Sequence, residues 1–192
     1  CVQGGFDLKP WLNSQSTNLK AEQGGWQGRG LQKGDILPFK KTASSIGKET
    51  KIASYYANLT PFYDSKAIRF IPGQHFEVLT QSSQAQLSTQ TWKITPASDR
   101  MGYRLEGEGL QLVHEQSLLS AGLSRGSIQL PPNGQPIVLM AEHQTTGGYP
   151  ILGQVIQADW PKLAQNGAGQ SVHFQPTTLV RAAHALQRQI KG

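Results

Sequence analysis

The sequence predicts a mainly β fold: a barrel or sandwich of short strands with one helix at its C-terminal end. Three observations carry the prediction. Glycine (21) and proline (11) are frequent among the 192 residues, as a chain with many turns requires. Runs of strand character are short and separated by turn residues. The one well-marked helix has both start and stop signals.

The strand runs are Ala67–Ile71, Thr91–Thr95, Met101–Leu105, Ser127–Leu130, Ile137–Glu142, Tyr149–Gln157 and Gln170–Gln175. Between them stand Pro72-Gly73, Gly107-Glu108-Gly109, Pro131-Pro132-Asn133-Gly134, Gly147-Gly148 and Gly167-Ala168-Gly169. Ile137–Ala141 shows no polar alternation, which marks a buried central strand. The helix begins after Pro176, at Thr177 or Thr178, and ends at Gly192. Leu179, Ala183, Leu186 and Ile190 share one of its faces, and the pattern assigns that face to the sheet. His184 lies off this stripe, on the surface. Residues 65–192 thus form one domain. Residues 40–64 lack a period and read as a connector, and residues 1–39 read as the remnant of a glycine-rich, short-stranded β segment.

Hydrophobic residues make up 37% and charged residues 16% of the chain, which excludes disorder. Eighteen Lys+Arg against twelve Asp+Glu give a net charge of +6. The basic residues are dispersed, and the one cluster, Lys40, Lys41, Lys48 and Lys51, reads as a solvated linker, not a nucleic-acid patch. No apolar run reaches the ~20 residues of a membrane span. A lone cysteine, Cys1, permits no intrachain disulfide and suits a reducing, cytoplasmic compartment.

Several chemistries lack their motifs. There is no GxxxxGK[ST] nucleotide loop, no HExxH or CxxC metal spacing, and no lysine in a biotin-carrier setting. Gly122-Leu123-Ser124-Arg125-Gly126 matches the GxSxG nucleophile pattern, but it precedes a strand where the motif requires a strand-to-helix turn.

Three polar constellations remain. In "SDRMGYRLEG" (98–107), alternation puts Arg100, Gly102 and Arg104 on one face as a polar floor, with Met101, Tyr103 and Leu105 towards the core. An arginine fork suits a carboxylate or phosphate, although Asp99 could equally tie up one arginine. In "GSIQLPPNGQPIVLM" (126–140), Gln129 is a second wall residue. In "MAEHQTTGGYP" (140–150), the buried strand leads into Gln144, Thr145, Thr146, Gly147, Gly148 and Tyr149, with more hydroxyl and amide groups than a hairpin turn needs. Arg29, between Gly28 and Gly30 in a loop that could form an anion nest, is a further candidate.

Taken in order, "STNLKAEQGGWQGRGLQKGD", "SDRMGYRLEG", "GSIQLPPNGQPIVLMAEHQTTGGYP" and "VIQADWPKLAQNGAG" resemble the biotin-dependent carboxyltransferase / allophanate hydrolase subunit 2 family. The resemblance implies a cyclophilin-like β-barrel, and an upstream segment absent from this sequence. Gln15 stands where the family often has arginine, and Glu142-His143 where it often has Asp-Arg.

The resemblance implies the C component of a 5-oxoprolinase, with ATP as co-substrate of the complex and an A component and a KipI-like B component as partners. The substrate site would then comprise Arg100 for the carboxylate, a polar cradle of Gln144, Thr145, Thr146, Gly147 and Gly148, Tyr149 as a wall, and Gln129 and Arg29. No general base stands out. The family also contains KipA-like regulators that bind a KipI-like partner, and carboxyltransferase halves of urea carboxylase-type enzymes.

Overall fold

A computed structural model describes residues 5–40, 65–114 and 118–191. The chain divides into two units, Cys1–Tyr55 and Tyr56–Gly192. The connector expected at 40–64 lies, from residue 41 on, outside the described residues.

Among the described residues, the second unit is built on nine strands: β1 (Ala67–Pro72), β2 (Trp92–Ile94), β3 (Gly102–Glu106), β4 (Ala121–Gly122), β5 (Ser127–Gln129), β6 (Ile137–Leu139), β7 (Thr146–Gly147), β8 (Ile151–Val155) and β9 (Ser171–Pro176). Seven of them close a barrel in the order β1-β8-β5-β6-β3-β2-β9, while β4 and β7 form a separate two-stranded ribbon. Every barrel strand falls on a run marked in the sequence. The seam is a parallel pairing, Ala67 opposite His173 to Phe70 opposite Pro176; the other pairs are antiparallel.

Alternate residues of these strands fill the barrel. Ile68, Phe70, Trp92, Ile94, Leu105, Ile128, Val138, Leu152, Val172 and Phe174 are almost wholly buried. Phe70 and Phe174 meet edge to face at 5.8 Å. Each large side chain so buried contributes ~1.5–3 kcal/mol.

Three α-helices of the described residues accompany the barrel: α1 (Gln81–Thr89), α2 (Trp160–Ala164) and α3 (Leu179–Lys191). α1, "QSSQAQLST", is absent from the sequence reading because its apolar content gives no periodic stripe. It forms because Thr80 Oγ1 caps it, accepting the Ser83 N–H at 3.2 Å. Leu87 anchors it in the core, and the Trp92 indole donates to the Leu87 carbonyl at 3.1 Å.

α3 starts where expected, with the Thr178 hydroxyl accepting the Arg181 N–H at 3.4 Å. Its buried face differs from the expected one. Ala182 and Ala185 pack against Ile71, Ile156 and Ala158, whereas Leu179 and Ile190 are 73% and 76% exposed. The contact is made by small residues, which let the helix approach closely, and this turns the larger apolar stripe outward.

A buried ion pair fixes the turn under α3. Asp159, fully buried, accepts the Arg69 N–H (2.9 Å), Nε (2.8 Å) and Nη2 (2.7 Å), with Lys162 Nζ at 3.2 Å. Burial pushes the Asp159 carboxyl up, but the hydrogen bonds and charge of Arg69, helped by Lys162, outweigh it and hold the group below the usual range.

In the first unit, the described residues pair through isolated bridges, not continuous strands. Phe6 bridges Phe39, their rings stacked at 5.7 Å. Gly28, at φ +67°, could not carry a side chain: a Cβ there would collide with the Glu22 carbonyl oxygen. The Gly28 and Arg29 N–H groups donate to the carbonyls of Gly24 and Trp26, which leaves neither open to an anion.

Candidate functional site

The site follows from strand register. Arg104 on β3 and Gln129 on β5 both lie opposite Ile137 of β6. Thr95, just past the end of β2, donates its N–H to the Arg104 carbonyl at 2.9 Å. Thr95, Arg104, Ile137 and Gln129 therefore form one row across four strands. Their neighbours Ile94, Leu105, Val138 and Ile128 fill the barrel core. The period of two along each strand puts the row on the outer face.

This face is the floor of a groove of about 670 Å³, whose walls include Asp99, Gln135, Gln144 and Tyr149. Two walls are tied down. Asp99 Oδ1 accepts the Met101 and Gly102 N–H groups at 2.8 and 3.2 Å. The Gln135 amide both accepts from the Gly107 N–H (3.0 Å) and donates to its carbonyl (2.9 Å).

Groups on the floor have capacity to spare. Gln129 is only 2% exposed, yet its Nε2 has no hydrogen-bond partner among the described residues. Thr95 Oγ1 is likewise buried and unpartnered. The Arg104 backbone is clamped by Ser98 Oγ, which accepts its N–H at 2.9 Å. Its guanidinium makes no hydrogen bond or ion pair with the described residues.

Gly147 lies against the Gln129 amide. A Cβ there would lie 2.9 Å from Leu123 Cδ1 and 3.1 Å from both Gln129 Nε2 and Gln144 Nε2. A Cβ would therefore push on the ends of these side chains, and the two amides converge in front of the glycine.

Of the residues singled out in the sequence, Gln129, Gln144 and Tyr149 line the groove. Arg100 does not: its Nε meets Glu142 Oε1 at 3.2 Å, with both side chains more than half exposed. Arg29 sits in the other unit and is held by Asp35 through two hydrogen bonds, of 2.8 and 2.7 Å. Thr145 and Thr146 are exposed, and Gly147 and Gly148 half-buried. Thr146 and Gly147 form β7 of the ribbon, pairing with Gly122 and Ala121, and next to it the Leu123 N–H donates to the Thr145 carbonyl.

The stretch Met140–Pro150 is not a hairpin. It joins β6 to β8, which are separated in the sheet by β5. Ser124, from the GxSxG pattern, sits ahead of β5 and hydrogen-bonds to Gln154 Oε1 at 3.1 Å. Thr95 carries no signal in the sequence that marks it for the site. Alternation places Arg104 on the polar floor but assigns Arg100 there too. The strand begins at Gly102, so Arg100 falls in the turn before it and the alternation does not extend that far. Among the described residues, no group of three or more His, Cys, Asp or Glu could hold a metal ion.

Comparison with known proteins agrees with this architecture. The chain is 42% identical to the 5-oxoprolinase C component of Haemophilus influenzae, over 95% of this chain and 57% of that protein. It is 40% identical to the Escherichia coli protein of the same name, over 98% and 58%. The chain thus spans a little over half the length of these relatives. A urea amidolyase of Lachancea kluyveri is 26% identical, over 99% of this chain and 11% of that protein. The crystal structure of Kluyveromyces lactis urea carboxylase shares the fold, with a TM-score of 0.69 at 22% identity, covering 98% of this chain and 18% of that one. The family model for the carboxyltransferase domain, subdomains A and B, matches residues 1–176, and the chain belongs to that family.

Proposed function

We propose that this chain is part of the C component of a cytoplasmic, ATP-dependent 5-oxoprolinase, which opens the lactam of 5-oxoproline to glutamate together with an A component and a KipI-like B component. The observation that carries this reading is 40–42% identity, over nearly all of the chain, to two proteins of that name.

The chemistry asks for what the groove offers. A five-membered lactam is a poor electrophile at neutral pH. Transfer of the terminal phosphoryl group of ATP to the lactam oxygen releases ADP and makes the ring carbon reactive. Water then adds to that carbon, and the ring C–N bond breaks with the nitrogen taking a proton, which leaves an acyl phosphate. A second water releases phosphate and completes glutamate. The substrate must be held by its carboxylate, and negative charge on the oxygen must be met by fixed donors. Free donors on a rigid sheet meet both needs without reorganising. The nucleotide and the general base belong to the partner components.

The test is glutamate formation from 5-oxoproline and ATP by the full-length protein with its A and B components. Activity is expected only with all three. Undiminished activity without this chain would overturn the reading. A carboxyltransferase role has the support of the family match and the urea amidolyase relative; it predicts instead a dependence on carboxybiotin presented by another chain.

A further inference from the structure

We infer that the outer-face groove binds a small monocarboxylate bearing an amide or lactam carbonyl, the Arg104 guanidinium taking the carboxylate and Gln129 Nε2 the carbonyl oxygen. The inference rests on the 5-oxoprolinase reading only for its choice of probe.

The buried amide comes first. Leaving a buried donor unsatisfied carries a desolvation penalty. Gln129 nevertheless finds no partner for its Nε2 among the described residues, at 2% exposure on the floor of the groove. Thr95 Oγ1 does the same at the other end of the row. A ligand acceptor placed over Ile137 would complete Gln129, and a second polar atom would complete Thr95.

Spacing sets the ligand size. Arg104 and Gln129 are two strands apart, so their Cα atoms are about 10 Å from each other. Both side chains are long enough to reach a molecule of a few heavy atoms lying between them. The apolar Ile137 and Leu139 provide the surface on which its ring or methylenes would rest.

Charge sets the class. The lining carries Arg104 against Asp99 and Glu106. Asp99 is engaged by the Met101 and Gly102 N–H groups. Against these two acids the single guanidinium of Arg104 can hold one carboxylate at most, in two parallel hydrogen bonds, and the lining stays net negative. It has the wrong balance for a triphosphate, so the nucleotide is not bound here.

The same observation supplies a discriminating test. Gln129→Met keeps the volume and removes an unsatisfied buried polar group. It should leave the melting temperature unchanged or raise it, while weakening 5-oxoproline binding by at least ten-fold. A merely structural glutamine would show the opposite. Binding is measured by calorimetry on the full-length protein with its partner components. Arg104→Gln is expected to weaken binding by ten-fold or more, Arg100→Ala by less than two-fold, and ATP binding should not change with either. If the wild-type complex turns over 5-oxoproline and both groove variants stay within two-fold of it, the inference is overturned and the proposed function stands. If the wild-type complex makes no glutamate, the proposed function fails. The groove is then judged by ligand-observed NMR with 5-oxoproline, N-acetylglycine and hydantoic acid. Binding of any of them that Gln129→Met abolishes sustains the inference, and no such binding overturns it.

Discussion

Replacing Asp159 by asparagine tests the energetics of the barrel most directly. Its carboxylate accepts three hydrogen bonds from Arg69 and lies 3.2 Å from Lys162 Nζ, with no exposure of its own. Asparagine offers one acceptor oxygen and turns an NH2 group against a cation. Breaking a buried pair in this way costs ~3–5 kcal/mol. The Arg69 side chain is 28% exposed, and water can partly replace the lost partner. The low end, about 3 kcal/mol, is therefore expected.

With a urea m-value of about 2 kcal/mol/M, that loss moves the unfolding midpoint down by about 1.5 M. The pH dependence has a defined sign. The carboxyl titrates lower in the folded state than in the unfolded chain, so its contribution is complete above about pH 4 and is lost as pH falls through the folded value. Wild-type protein should therefore lose part of its advantage over the variant below about pH 4. A midpoint shift under about 0.5 M at neutral pH, or a constant gap between the two proteins from about pH 7 to pH 2, would refute the account of the pair.

Other substitutions test packing. Gly153→Ala would put a Cβ 2.6 Å from Phe70 Cδ2 and 2.8 Å from the Ile71 carbonyl oxygen; overpacking of ~1–3 kcal/mol should appear as a lower melting temperature. Gly147→Ala displaces the amides of Gln129 and Gln144 and should weaken 5-oxoproline binding several-fold in calorimetry, with a smaller effect on melting than Gly153→Ala. Leu179→Ser with Ile190→Ser, both on the outward face of α3, should change stability by less than about 0.5 kcal/mol in urea titration.

Strands are legible where the sequence carries both an apolar period and flanking turn residues. Six of the barrel strands meet that description, and Ile137–Leu139 is legible instead from its unbroken apolar run. α1 has no such period, because Leu87 and the small Ser83 are its only buried residues. α2, five residues long with Pro161 at its start, is too short to show one. The α3 stripe misleads because size is not the criterion for burial there: Ala182 and Ala185 take the face against Ile71, Ile156 and Ala158, and Leu179 is left outside. At the site, parity identifies Gln129 and places Arg104 on the polar floor. What parity cannot supply is register between strands distant in sequence, and that alone brings Thr95, Arg104 and Gln129 into one row.

The seam between β1 and β9 bears on how the domain is made. Strands pairing Ala67 with His173 meet only after everything between them has been synthesised, and such non-local closure is slow. β9 also bonds the free edge of β2, through Trp92 opposite Val172 and Lys93 opposite Ser171. Until it arrives, two strand edges stay unpaired and ready to template aggregation. A nascent chain stalled before Ser171 should be a substrate for chaperones.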